Sequence, residues 1–130
     1  MYSKTTNNIL VQVQADFLPD QSRPEEQHYV WAYHVRIENQ GEDIVQLRSR
    51  YWKITDSQGY HHEVHGEGVI GKQPTLAPGD VFEYSSGTPL PTPGGMMTGT
   101  YTMAGINGNS FTVDIPMFSL DSPYQSPVIH

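Results

Sequence analysis

The sequence predicts an all-β domain, an antiparallel sandwich of about seven to eight strands, and three observations carry that expectation. Apolar and polar residues alternate with a period of two along most of the chain, the pattern of strands that bury one face and wet the other. Clusters of Gly, Pro, Asn and Asp interrupt these runs at short intervals, as the turns of a sandwich require. Helical periodicity is scarce, so no segment is available for the crossovers of a parallel sheet.

The elements follow in chain order. Ile9, Val11, Val13, Ala15 and Phe17 recur at every second position and predict the first strand, closed by the breaker-rich run from Pro19 to Pro24. Tyr29, Trp31, Tyr33, Val35 and Ile37 share one face of the next strand, with His34, Arg36 and Glu38 on the other, and Asn39-Gln40-Gly41 supplies turn chemistry. Residues 44–56 predict a third strand whose alternation is two-sided. Val45, Leu47 and Tyr51 fall on one face and Trp52 and Ile54 on the other, so a bulge or twist is expected near Ser49. After the turn Asp56-Ser57-Gln58-Gly59, residues 60–64 pair back as a short strand. Residues 66–79, with Gly66, Gly68, Gly71, Pro74, Pro78 and Gly79, are expected to form an ordered surface loop with at most a short strand. Residues 81–86 are the next strand, and the proline-rich 88–95 must cross between sheets or run along an edge, because proline lacks the ladder donor. The last hairpin alternates Met97, Gly99, Tyr101 and Met103 against Phe111, Val113, Ile115 and Met117, with Asn107-Gly108 as a type I′ turn signal. Residues 1–120 are read as one domain and 121–130 as a mobile tail.

The 130 residues, 36% of them apolar, with a mean hydropathy of −0.51, suffice for a single lean core. No apolar run approaches the roughly 18 residues of a membrane span, so no membrane insertion is expected. The stretch Met1 to Asn7 carries no secretory pattern, and a cytoplasmic location is expected. The absence of cysteine removes disulfides, thiolate nucleophiles and cysteine metal sites. A formal charge of −7, from 7 basic and 14 acidic residues, repels phosphate backbones, so no non-specific nucleic-acid binding is expected. Arg48, Arg50 and Lys53 gather on one strand and are read as its wet side.

The ordered run Gly66-Glu67-Gly68-Val69-Ile70-Gly71-Lys72-Gln73-Pro74, continued by Leu76, Pro78-Gly79-Asp80, Phe82, Tyr84-Ser85-Ser86-Gly87, Pro89-Leu90, Thr92-Pro93, Gly95, Met97, Gly99, Tyr101 and Met103, resembles the ApaG family. The likeness extends to Tyr51-Trp52 and Ile54-Thr55-Asp56 on one side and to Ile115-Pro116 and Phe118 to Leu120 on the other. The resemblance implies an immunoglobulin-like, fibronectin type III-like sandwich and a binding module without an established catalytic activity. It also implies a proposed link to cobalt and magnesium resistance or efflux, and a role in protein recognition. No catalytic residue and no cofactor follow from it.

Three groups of residues are candidates for a site. Gly66, Gly68 and Gly71 spell G-x-G-x-x-G, but no helix follows to hold a pyrophosphate as in a dinucleotide fold. What the motif can form is a nest of backbone amides, with Lys72 adding charge for pyrophosphate or a nucleotide. His61, His65 and Glu67 form the densest ligand-type cluster, with His62 and Glu63 between them. On a strand, however, His61 and His65 stand too far apart for one divalent cation unless the backbone bends. Met96, Met97 and Met103 are read as an adaptable apolar surface, and one of Tyr51 and Trp52 must face away from the core. Ser85, Ser86, His34 and Asp114 are of triad type, but no elbow motif joins them. The leading expectation is protein recognition through residues 66–78 and 89–95, with strand addition by an unknown protein partner or a second copy as a homodimer. The alternative is a phosphate-containing small molecule or divalent cation at the glycine-rich loop.

Overall fold

The alternating runs become long strands in the computed structural model, which describes residues 1–125. They are β1 (Tyr2–Thr6), β2 (Ile9–Phe17), β3 (Tyr29–Asn39), β4 (Val45–Asp56), β5 (His61–Glu67), β6 (Thr75–Leu76), β7 (Val81–Leu90), β8 (Gly95–Gly105) and β9 (Ser110–Leu120). One sheet runs β1-β2-β3-β7 and the other β5-β4-β8-β9, with β6 beside β4. All pairings are antiparallel, so the molecule is the expected all-β sandwich. The described residues hold nine strands, because β1 and the two-residue β6 add to the set the alternation marks. β1 turns into β2 through Asn7 (φ 48°) and Asn8 (φ 64°), the paired left-handed conformations of a type I′ turn that asparagine tolerates.

The core lies between the sheets. Val11, Val13, Trp31, Val35 and Ile37 from one sheet meet Leu47, Trp52, Met97, Tyr101, Val113 and Phe118 from the other, all buried. The register between β4 and β8 shifts between Leu47 and Ser49. That bulge reverses the parity of β4, so Val45 and Leu47 before it and Trp52 and Ile54 after it all face the core. Tyr51 is the member of the aromatic pair that turns outward.

Three expectations are corrected. β5 extends to Glu67, so Gly66 is a strand residue and not part of the loop. Gly108 (φ 76°) is left-handed while Asn107 is not, and the Gly108 amide bonds the Gly105 carbonyl. The last hairpin therefore closes by a type I turn followed by a left-handed glycine, not by type I′. The β8 to β9 register shifts between Met97 and Gly99, which turns Met117 to solvent and Phe118 to the core. Residues 121–125, the first part of the segment expected to be a tail, make defined contacts. Trp31 Nε1 donates to the Asp121 carbonyl at 2.8 Å, Ser122 Oγ donates to the Pro93 carbonyl, and Tyr124 packs on Phe17 and Tyr29. The rest of that segment, 126–130, lies outside the described residues.

The two lateral edges of the sandwich differ. Where β1 meets β9, Tyr2 Oη and Ser119 Oγ are 2.9 Å apart, the Asp114 amide donates to Thr6 Oγ1 at 3.3 Å, and Lys4 pairs with Asp114 at 3.1 Å. At the opposite edge β5 and β7 are the outermost strands. Among the described residues no hydrogen bond or ion pair joins those two.

Candidate functional site

The unlaced edge opens into a cleft of about 520 Å³ between the sheets. Its floor is Tyr33, Trp52, Ile54 and Met97, and its walls are His62 and Val64 of β5 and Ser86, Thr88 and Leu90 of β7. Strand register explains the lining. Val64 pairs with Trp52 and His62 with Ile54, so the inner face of β5 continues the floor laid by β4. β7 is an edge strand, which is why Pro89 fits within it: its missing donor falls where no further strand pairs. The proline-rich segment thus does both things expected of it, running along an edge to Leu90 and then crossing to β8.

Arg50 marks one end of the cleft. It stands two residues before Trp52 and beyond the bulge, so it faces inward. Its register partners are Gly66 on one side and buried Tyr101 on the other. A side chain at Gly66 would meet Arg50 Nη1 at 2.5 Å, so this glycine leaves room for the guanidinium. Nη1 donates to the carbonyls of Glu67 (3.2 Å) and Gly68 (2.8 Å). Behind it, the hydroxyls of Tyr84 and Tyr101 hydrogen-bond to each other inside the core. Burial pushes the ionisation of both tyrosines well up, with the Arg50 charge opposing it. The reading of Arg50 as a wet-side charge is therefore corrected, and Lys53 lies on the opposite face of β4.

The glycine motif has a structural use at each position. The Gly68 amide (φ 64°) bonds the Arg48 carbonyl, and a Cβ there would meet the Lys72 carbonyl oxygen at 2.3 Å. Val69 and Lys72 exchange two backbone bonds around Ile70 (φ 44°) and Gly71 (φ 78°), a two-residue turn. Three of the amides available for an anion nest, those of Gly68, Val69 and Lys72, are committed to these internal bonds.

His61, His65 and Glu67 alternate along the outer side of β5. His61 Nδ1 is 2.9 Å from Thr55 Oγ1, and the His65 ring stacks on Tyr51 at 4.8 Å. Among the described residues no three His, Asp or Glu side chains converge on one point. Met97 and Met103 are buried, which corrects their reading as surface; Met96 is exposed.

A Ser-His-Asp row that sequence spacing hid crosses the outer face of the first sheet. Ser85 Oγ is 2.5 Å from His34 Nδ1, and His34 Nε2 is 3.2 Å from Asp16 Oδ2. Asp114, the acid named from the sequence, pairs with Lys4 instead. The ring nitrogens are used in the reverse order of a serine-hydrolase triad, whose Nε2 faces the serine. The row lines a shallow depression of about 440 Å³ on this sheet face, with the His34 side chain 48% exposed.

The ApaG domain model matches residues 19–105. The chain belongs to this family. The matched span runs from the loop after β2 to the end of β8, and so contains every cleft residue named above. A protein called ApaG from Rhodospirillum centenum is 58% identical over 124 residues, covering 95% of each chain. Another from Parvibaculum lavamentivorans is 55% identical over all of both chains. The crystal structure of a protein described as putative ApaA from Bordetella pertussis superposes with a TM-score of 0.86 at 50% identity, covering 90% of this chain and 95% of that one. The likeness to these ApaG-family proteins reaches beyond the matched model to β1, β2 and β9, which close the laced edge.

Proposed function

We propose that this ApaG-family protein is a non-catalytic, cytoplasmic recognition module that binds an extended segment of a protein partner in the cleft between β5 and β7. One observation carries the reading: two sheet edges stand open on either side of an apolar floor made by Tyr33, Trp52, Ile54 and Met97. Edge strands offer backbone donors and acceptors to an added strand, and the floor offers burial to its alternate side chains. A cleft of about 520 Å³ is large enough for two or three such side chains. The segment Pro89 to Pro91 belongs to this surface, whereas Gly71 and Lys72 lie outside its lining.

The phosphate alternative loses support from the amides the loop already uses, and the cation alternative from the spacing of His61, His65 and Glu67 along β5. The proposed link to cobalt and magnesium resistance or efflux that the family resemblance implies would, on this reading, be an effect exerted through a partner. No helix among the described residues is long and apolar enough to cross a membrane.

An amide NMR titration with extended apolar hexapeptides, magnesium, cobalt and pyrophosphate tests the proposal. Saturable shifts on β5 and on Ser86 to Leu90 with peptide are the expected result. Shifts confined to Gly68 to Lys72 with pyrophosphate, or to His61 to Glu67 with a cation, would replace it.

A further inference from the structure

The cleft is not symmetrical along its length. At one end lie Asp56, Tyr60 and Pro91, and Tyr60 is 71% exposed, so this end opens to solvent. The Asp56 carboxylate there accepts the amides of Gln58 and Tyr60. At the other end the lining stops at Arg50. Behind Arg50 the space is filled: Val69, Tyr84 and Tyr101 are all buried. A chain lying in the cleft therefore has a way out past Asp56 and none past Arg50.

Arg50 itself is under-used. A guanidinium carries five N–H donors, and the described bonds engage Nη1 alone, with two carbonyls. Among the described residues it makes no ion pair, although the chain carries an acidic excess. A partly buried cation with no carboxylate paired to it, at the end of the cleft away from Asp56, favours an anionic group brought by the occupant. The Asp56 carboxylate at the far end disfavours a second anion there. Arg50, Trp52 and Ile54 follow one another on one face of β4 at steps of about 7 Å, the same spacing as alternate side chains of an extended peptide.

Resting on the reading of the cleft as a peptide site, we propose that its blind end takes the C-terminal carboxylate of the partner, held by Arg50, with apolar side chains of the last residues on Trp52 and Ile54. The first glycine of the G-x-G-x-x-G run then serves recognition indirectly, since a Cβ at Gly66 would meet Arg50 Nη1 at 2.5 Å and force the guanidinium to shift.

The test uses acetylated hexapeptides whose last three residues are Val, Leu or Phe, each made as the free acid and as the C-terminal amide, with binding followed by amide NMR. Free acids are expected to bind at least tenfold more tightly than amides. Arg50→Gln should erase that difference while the amide binds as before, and Gly66→Ala should weaken free-acid binding with Arg50 still present. Far-UV circular dichroism and the dispersed amide spectrum confirm that each variant is folded. Equal binding of acid and amide at the cleft would overturn the carboxylate assignment and leave the peptide reading intact. Amidated peptides ending in Glu that bind as well as the free acids would assign Arg50 to a side chain instead of a terminus, and so overturn the inference in that form. Binding of neither series at millimolar concentration would overturn the peptide reading itself.

Discussion

The two flanks of this sandwich are built from the same kind of strand and behave as opposites. At β1 and β9 the sheets are drawn together by the Tyr2 to Ser119 and Thr6 to Asp114 bonds, the Lys4 to Asp114 pair and the packing of Tyr2 on Phe118. At β5 and β7 they part, and the residues facing the gap are half-buried Val64 and Ser86 and exposed His62. The lesson is that an edge is closed by what its inward side chains reach. β9 sends Phe118 and Ile115 fully into the core, whereas β5 offers only His62, Val64 and Gly66 on its inner face. A glycine and a histidine cannot fill the space that a phenylalanine fills, so the open flank is a consequence of residue choice on one strand.

Truncating one residue on each flank should have very different costs. Phe118→Ala should cost about 3 to 5 kcal/mol, the range for a fully buried phenylalanine, while Val64→Ala should cost about 1 kcal/mol because its methyls are only half withdrawn from water. Guanidinium denaturation measures both, and equal losses would mean that the two flanks are packed alike.

The Tyr84 to Tyr101 bond joins the sheets behind the cleft, and it makes stability there depend on pH. Tyr84→Phe leaves the Tyr101 hydroxyl without its partner in the core and should cost about 1 to 3 kcal/mol near neutrality. Burial raises the folded-state pKa of both tyrosines above their unfolded values. The folded state therefore keeps its protons where the unfolded chain loses them. Their contribution is fully present below about pH 10 and is lost as pH rises beyond it, at about 1.4 kcal/mol per pH unit for each tyrosine. Stability curves between pH 8 and 11 should bend downward in the wild type and less steeply in the Tyr84→Phe variant.

The hairpin behind Arg50 carries a strain that can be relieved without touching the cleft. Ile70 is β-branched, exposed, and held at φ 44°, a conformation that asparagine adopts at lower cost. Ile70→Asn should raise stability by about 1 kcal/mol and leave peptide binding unchanged. A loss of binding in that variant would show that the hairpin tip belongs to the recognition surface.

Much of the fold was legible residue by residue. The inward face of β3, from Tyr29 to Ile37, follows from alternation alone, and the bulge of β4 was marked by the parity clash between Leu47 and Trp52. β1 leaves no apolar alternation in the sequence, because its residues are mostly exposed, and Asn7-Asn8 is the only signal of its turn. The site was less legible. Arg50 looked like one of three surface charges, yet its spacing of two from Trp52 places it on the core face once the bulge is admitted. The cleft arises from a gap between strands of different sheets, β5 and β7, and no pattern within either strand records which edge of one sheet will lie above which edge of the other. The G-x-G-x-x-G run is like a phosphate loop in spelling, while its physical content is a space for Arg50, a close backbone approach and a tight turn.

The smallest expected effect lies on the laced flank. Lys4 and Asp114 pair at 3.1 Å with about half of each side chain exposed, and an ion pair of that exposure contributes about 0.2 to 1 kcal/mol and is screened by salt. Lys4→Ala should therefore lower stability slightly at low ionic strength and hardly at all in 1 M salt, about 3 Å being the Debye length there. Deleting Tyr2 to Thr6 is a different perturbation, since it removes the cover over Phe118 as well as the charge. If Lys4→Ala alone destabilised the protein as much as that deletion, the flank would be held shut by charge and not by packing, and the contrast with the open flank would have to be redrawn in electrostatic terms.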